Sequence, residues 1–262
     1  MTTSWRREQE KQEDACDGTR VLRYMDAIKT RVTRYWDQRA ESFSSQRMRE
    51  WESEKHALWM DEFEKYIPMD TPLEILDVGT GTGFFAMLLS SRGHRVTGID
   101  LSGNMIDEAR KTAAHLDLPA SFFVMDGENP EFESGHFDVI VTRNLTWALP
   151  NLGRAYANWH RLLNRGGILL NFDADYCRED TGKPLPENHA HKQIGADLMQ
   201  EYEHIKDELR PSQQPRPDWD AALLKAAGYR DIRVDTTVWQ RIYHNVDEFY
   251  NPTPIFLIAA RA

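Results

Sequence analysis

Residues 74–83 read Glu-Ile-Leu-Asp-Val-Gly-Thr-Gly-Thr-Gly, an apolar run that ends in an acid and then three glycines at alternate positions. The run predicts a short buried strand. It empties into a loop where Gly79, Gly81 and Gly83 let the backbone approach a ligand that a Cβ would obstruct. A helix over 84–91 follows at once, so the free N–H groups at its start face whatever binds. Strand, glycine turn and helix in this order make the nucleotide-binding corner of an open α/β sheet.

The spacing narrows the nucleotide. A dinucleotide fingerprint, G-x-G-x-x-G, needs a third glycine at 84, where this chain has Phe84. The pattern here is D-x-G-x-G-x-G, with Asp77 two residues before Gly79. A carboxylate at that place suits a ligand with a positive group near the loop and no pyrophosphate to repel. In these residues the chain resembles the class I S-adenosylmethionine-dependent methyltransferases, in their small-molecule branch.

The resemblance continues at fixed distances. His94 to Asp100 forms a second strand ending in an acid, 17 residues after Gly83. It implies that Asp100 takes the ribose hydroxyls of the cofactor S-adenosyl-L-methionine, a charge-assisted bidentate contact. Ser102 or Asn104 caps a helix over 105–116. Residues 121–125 make a third strand, followed by Asp126-Gly127, where the family places an acid against the adenine amino group. Phe137 to Thr142 is a fourth strand leading to Asn144. Residues 152–163 are helical, and Arg165-Gly166-Gly167 opens a fifth strand, 168–173. Asp231 to Thr237 and Pro254 to Ala260 complete the sheet. The implied fold is α/β, a Rossmann-like seven-stranded sheet of order 3-2-1-4-5-7-6 with the last strand antiparallel. The implied cofactor set is Tyr35, Asp77, Gly79, Thr80, Gly81, Gly83, Asp100, Leu101, Met105, Asp126, Gly127 and Asn144.

Charge and cysteine content restrict the partners. A net charge of −10 opposes a nucleic-acid substrate, which needs a basic surface to neutralise phosphates. The Asn-Leu-Thr-Trp stretch at 144–147 also lacks the Pro-Pro-Tyr that amino-directed DNA and protein enzymes carry there. Cys16 and Cys177 cannot build a disulfide framework or a cysteine zinc site, which suits a reducing, cytoplasmic setting. No apolar stretch approaches the 18 residues of a membrane span. The expected partner is a small-molecule methyl acceptor, with no nucleic acid and no membrane, in a monomer or homodimer.

The flanking segments are less patterned. Residues 1–18 are polar and are expected to be mobile or loosely helical; 19–70 should form a helical cap on a methyltransferase domain over 71–262. Apolar residues at 21, 25, 28, 32 and 35 mark one helix, and 46–66 a second. Between them lies Tyr35-Trp36-Asp37, similar to segments that fold over the cofactor in small-molecule methyltransferases. After the fifth strand, 176–217 should build a substrate cover with a helix near 194–209.

Candidate catalytic residues at the strand ends are Asp173, Tyr176 and His189. Asp173 and Asp175 fall on one side of an extended strand end, Trp147 offers an aromatic wall, and His189 or His191 offers a general base. Two histidines without a third ligand at recognisable spacing make no metal site. The expected activity is methyl transfer from S-adenosylmethionine to a small molecule (EC 2.1.1). The alternatives are a nicotinamide-dependent oxidoreductase and a non-catalytic cofactor-binding module of the same fold.

Overall fold

The computed structural model describes residues 3–178, 185–187, 189, 194–210 and 213–262, with side chains from residue 23 onward. His191 lies outside the described residues. Seven strands form one sheet: β1 (Glu74–Val78), β2 (Arg95–Asp100), β3 (Ser121–Val124), β4 (Phe137–Arg143), β5 (Leu163–Asp173), β6 (Arg230–Asp235) and β7 (Phe256–Arg261). Their order is β3-β2-β1-β4-β5-β7-β6. β1 to β5 run parallel, and β7 enters antiparallel to both β5 and β6. This is the Rossmann-like topology expected from the sequence.

The strands are apolar on both faces because helices cover both. α2 (Lys55–Glu64), α3 (Phe84–Ser90), α4 (Gly103–His115) and α8 (Val238–Ile242) cover one face. There Trp59, Phe63 and Phe85 pack against Ile75, Val141 and Phe172. α5 (Leu152–Leu162) and α7 (Asp218–Ala226) cover the other, where Tyr156, Trp159 and Leu224 pack against Leu76, Ile140 and Ile258. Alternate residues of β1 and β4 go to opposite layers, as strand geometry requires.

A third cluster caps the C-terminal strand ends. α1 (Thr3–Trp51) and α6 (Ala196–Leu209) bring Ile28, Tyr35, Ile205 and Leu209 against Trp147 and Cys177. α1 crosses the 36–45 segment without a break, and the chain turns only at Glu52–Glu54 before α2. The sequence places that boundary earlier, near residue 46. The polar residues Asp37, Gln38 and Glu41 interrupt the apolar pattern, but they sit on the solvent and α4 sides of one continuous helix. Asp37 holds the helix in place: its carboxylate accepts from the Ser102 hydroxyl (2.6 Å) at the α4 N-terminus, and its carbonyl accepts from Asn104 Nδ2 (3.2 Å). β5 begins at Leu163, earlier than expected, with a register shift opposite Phe137 and Val139.

Candidate active site

The loop after β1 is built for close approach. Gly79 and Gly81 have φ of +67° and +54°, and a Cβ on Gly79 would stand 2.7 Å from Leu145. Gly83, also at positive φ, is the N-cap of α3 and packs under the Phe122 ring; it supports the loop from below and is not in the cavity wall.

Asp77 is buried at the root of the loop, where its Oδ2 accepts from the Thr80 hydroxyl (2.6 Å) and from the Ala86 N–H (3.1 Å). Burial outweighs these bonds and raises its pKa from 3.8 to about 7. Asp100, at the end of β2, accepts from the N–H groups of Gly81 (3.0 Å) and Ser102 (2.9 Å). Its pKa is also raised, again by burial. Asp126 accepts from Lys29 of α1 (2.8 Å), which also reaches Glu128 (2.6 Å).

These acids border a cavity of about 220 Å³ that runs from the glycine loop to the underside of α1 and α6. Of the expected cofactor residues, Tyr35, Asp77, Gly79, Thr80, Gly81, Asp100, Leu101, Met105, Asp126, Gly127 and Asn144 face it. Asn144 has φ of +54°, a conformation Asn tolerates. Its side-chain oxygen accepts from the Tyr176 phenol (2.9 Å), which in turn accepts from Asn251 Nδ2 (2.6 Å). Burial pushes the Tyr176 phenol well above its ordinary value, so it donates a hydrogen bond and does not serve as a base. Both Tyr176 and His189 line the cavity. His189 Nε2 lies 2.9 Å from the Tyr250 carbonyl, an acceptor only, which places a proton on Nε2.

Asp173 stands elsewhere, and the expectation of a catalytic carboxylate there is corrected. It is fully buried behind the cavity wall, where it accepts from the Thr146 hydroxyl, the Trp147 N–H and the Ala174 N–H. The Arg216 guanidinium lies 3.6 Å away and forks onto Asp220, which also accepts from Tyr156 (2.6 Å). This network ties the end of β5 to α7 and to the 3₁₀ turn Thr146–Ala148. Asp175 accepts from the Arg216 N–H (3.1 Å) and belongs to the same assembly. β5 is an interior strand, covered on both edges and both faces, so its end is not solvated.

Several cavity residues carry no mark in the sequence. Arg143, at the end of β4, donates to Glu50 of α1 (2.8 and 3.3 Å) and to the Tyr243 hydroxyl (3.2 Å). Arg47 pairs with the same carboxylate and lies over the Phe43 ring at 4.5 Å. Burial alone would raise the Glu50 pKa, but the two guanidiniums hold it down to about 2. Arg39 faces the cavity from the same helix. A helical spacing of three or four links residues 35, 39, 43, 47 and 50, the one signal from which this wall was readable.

The fit to an adenosine bearing a methionine is good: glycine backbone at the loop, Asp100 free of side-chain partners, and buried Asp77 for an ammonium. A family model described as a methyltransferase domain matches residues 75–167. Aklanonic acid methyltransferase of Streptomyces sp. is 31% identical over 176 residues, which cover 62% of this chain and 77% of that protein. The chain belongs to the S-adenosylmethionine-dependent methyltransferases. Phosphoethanolamine N-methyltransferase 1 of Triticum aestivum is 34% identical over 140 residues, 52% of this chain. Only 27% of that relative's length is spanned. Among solved structures, a Haemonchus contortus phosphoethanolamine N-methyltransferase in complex with S-adenosyl-L-methionine shares the fold, with TM-score 0.55 and 19% identity over 77% of this methyltransferase chain and 51% of its own. Among the described residues no helix is long and apolar enough to cross a membrane, and no cluster of metal-ligating side chains occurs.

Proposed function

We propose that this methyltransferase transfers a methyl group from S-adenosylmethionine to a small-molecule acceptor, as a cytoplasmic protein. The observation that carries the reading is the cavity itself. One half is made of the glycine loop with Asp77 and Asp100, and the other is a chamber roofed by α1 and α6 and walled by Trp147, Tyr176, Tyr202 and Tyr250. Aromatic walls of this kind suit a small molecule with a flat or apolar body.

The bound cofactor supplies an electrophilic methyl on a sulfonium whose leaving group is neutral. In this reading Asp100 accepts from the ribose hydroxyls, Asp77 faces the methionine ammonium, and the Gly79 and Gly81 backbone sets the distance. The aromatic walls then align the acceptor and exclude water. Positioning of this kind is worth roughly 7–11 kcal/mol when the geometry is near-attack. In this reading His189, on the cavity wall, takes the proton of an acceptor that loses one, and Tyr176, whose own proton goes to Asn144 Oδ1, offers its phenol oxygen to orient that acceptor. Asp126 reaches the adenine end while Lys29 neutralises it.

A thermal-shift panel tests the proposal. S-adenosylhomocysteine should raise Tm in a concentration-dependent way and NADH should leave it unchanged. A shift with NADH alone returns the oxidoreductase reading. Binding of the homocysteine analogue with no methyl transfer to a broad acceptor library returns the non-catalytic module.

A further inference from the structure

The acids assigned to the cofactor follow β1, β2 and β3. Tyr176 follows β5 and Asn251 precedes β7, two and three strands from β1 in the sheet. At about 4.8 Å between neighbouring strands, roughly 10 to 14 Å separate them from the root of the glycine loop. Both line the cavity, as does Asn144, which leaves β4 on the border between the two halves. These three side chains form one hydrogen-bond relay that runs from the acceptor side to that border.

The direction of the relay is fixed at its Asn251 end. Trp239 Nε1 donates to the Asn251 carbonyl (2.7 Å), and the Thr253 N–H donates to Asn251 Oδ1 (3.1 Å). A backbone N–H can only donate, so it takes the amide oxygen and turns Nδ2 toward Tyr176, whose Oη accepts at 2.6 Å. The phenol then gives its single proton to Asn144 Oδ1 (2.9 Å). The Asn144 backbone is pinned as well: its N–H donates to the Phe172 carbonyl (2.8 Å) and its carbonyl accepts from Trp147 Nε1 (3.0 Å). With Oδ1 taken by Tyr176, the amide has only its Nδ2 hydrogens left for the cavity, and these have no partner among the described residues.

We propose that Asn251 is a positioning residue for the methyl acceptor. Acting through Tyr176, it holds the Asn144 amide with its N–H groups toward the chamber, so that the site receives an oxygen of the acceptor and disfavours a group that can only donate. The proposal rests on the methyltransferase reading above. A carbonyl, hydroxyl or ether oxygen accepts from Asn144 directly. An ammonium or an aromatic N–H would meet N–H against N–H. Turning the Asn144 amide over to suit it would leave the phenol proton without an acceptor.

The test uses the full chain saturated with S-adenosylhomocysteine and three flat, neutral probes of one size: 1-indanone, which only accepts, indole, which only donates, and indane, which does neither. Isothermal titration at pH 8 compares them in wild type, Asn251→Asp, Tyr176→Phe and the double variant. In wild type 1-indanone should bind at least fivefold tighter than indole or indane. A carboxylate at 251 still accepts from Thr253 but cannot donate, so the phenol proton turns to it and Asn144 Nδ2 turns to the phenol. Asn251→Asp should therefore lower the indanone-to-indole ratio at least tenfold and reverse the preference. Tyr176→Phe cuts the relay and should bring the ratio within twofold of one; adding Asn251→Asp to it should change the ratio by less than twofold, an outcome that packing alone does not give. Both single variants should bind S-adenosylhomocysteine within threefold of wild type. Equal binding of 1-indanone and indole in wild type overturns the proposal, as does an Asn251→Asp effect of the same size with and without Tyr176. A tenfold loss of S-adenosylhomocysteine at unchanged Tm assigns the relay to the cofactor and also overturns it. If Asn251→Asp does not fold, Tyr176→Phe decides alone, since a ratio kept at fivefold there refutes the relay. Wild type that does not bind S-adenosylhomocysteine sinks the methyltransferase reading itself, which separates the two failures.

Discussion

Asp77 gives the sharpest test of the cofactor loop, because its charge state is set by the fold. Its carboxyl ionises at about pH 7 instead of 3.8, since burial outweighs the bonds from Thr80 and Ala86. An ammonium pairs with the carboxylate and not with the acid, so the apparent affinity for S-adenosylhomocysteine should rise with pH. Relative to the plateau, binding should be about 100-fold weaker at pH 5, about 10-fold at pH 6 and about twofold at pH 7. The rise levels off above about pH 8, where the carboxylate is almost fully ionised. Linkage gives the opposite sign for stability of the empty protein. Between pH 3.8 and about 7 the folded state holds a proton that the unfolded state has released, so stability falls as pH rises through this window. The loss is on the order of 4 kcal/mol and is complete above pH 7. Asp77→Asn, whose amide oxygen can accept the same two bonds, should therefore be at least as stable as wild type at pH 8 yet bind S-adenosylhomocysteine about 10- to 100-fold more weakly, from the lost charge-assisted bond of roughly 1.5–3 kcal/mol. Calorimetric titration from pH 5 to 8, with urea unfolding of the empty proteins, reads both. An affinity independent of pH in wild type refutes the placement of Asp77 against an ammonium.

Three further outcomes follow from named contacts. Asp100→Ala should weaken S-adenosylhomocysteine about 100-fold by calorimetry, with Tm within a few degrees of wild type, because the lost bonds are to the ligand and to the two backbone amides of Gly81 and Ser102. Arg216→Met should cost about 3–5 kcal/mol in urea unfolding, since it leaves Asp173 and Asp220 buried without their cation; a cost under 1 kcal/mol contradicts the structural role given to that network. Gly79→Ala should abolish cofactor binding and destabilise by about 1–2 kcal/mol from positive φ alone, with an added clash on Leu145 that Leu145→Ala relieves, leaving the backbone part.

The half of the site that was legible in sequence is the half that is local. Asp77, the glycines and Asp100 lie within one strand-loop-helix-strand unit, so spacing alone carries their geometry. Asp126 and Asn144 follow strand ends that apolar runs mark out. The acceptor chamber has no such unit. Trp147 comes from the turn after β4, Tyr176 from the segment after β5, Tyr202 from α6 and Tyr250 from the loop before β7; only tertiary packing brings them together. Asp173 was misread for a related reason. Alternation along β5 placed it on the same side as Asp175, but Arg216 arrives from a segment more than 40 residues later to bury both. The unbroken α1 escaped notice because Asp37, a break in the apolar pattern, is instead the clamp on α4.

A single titration decides the central claim: S-adenosylhomocysteine into wild type and Asp100→Ala at pH 7.5. The molecule described here gives saturable one-to-one binding in wild type and about a hundredfold less in the variant. No heat in wild type, or equal curves in both, contradicts it.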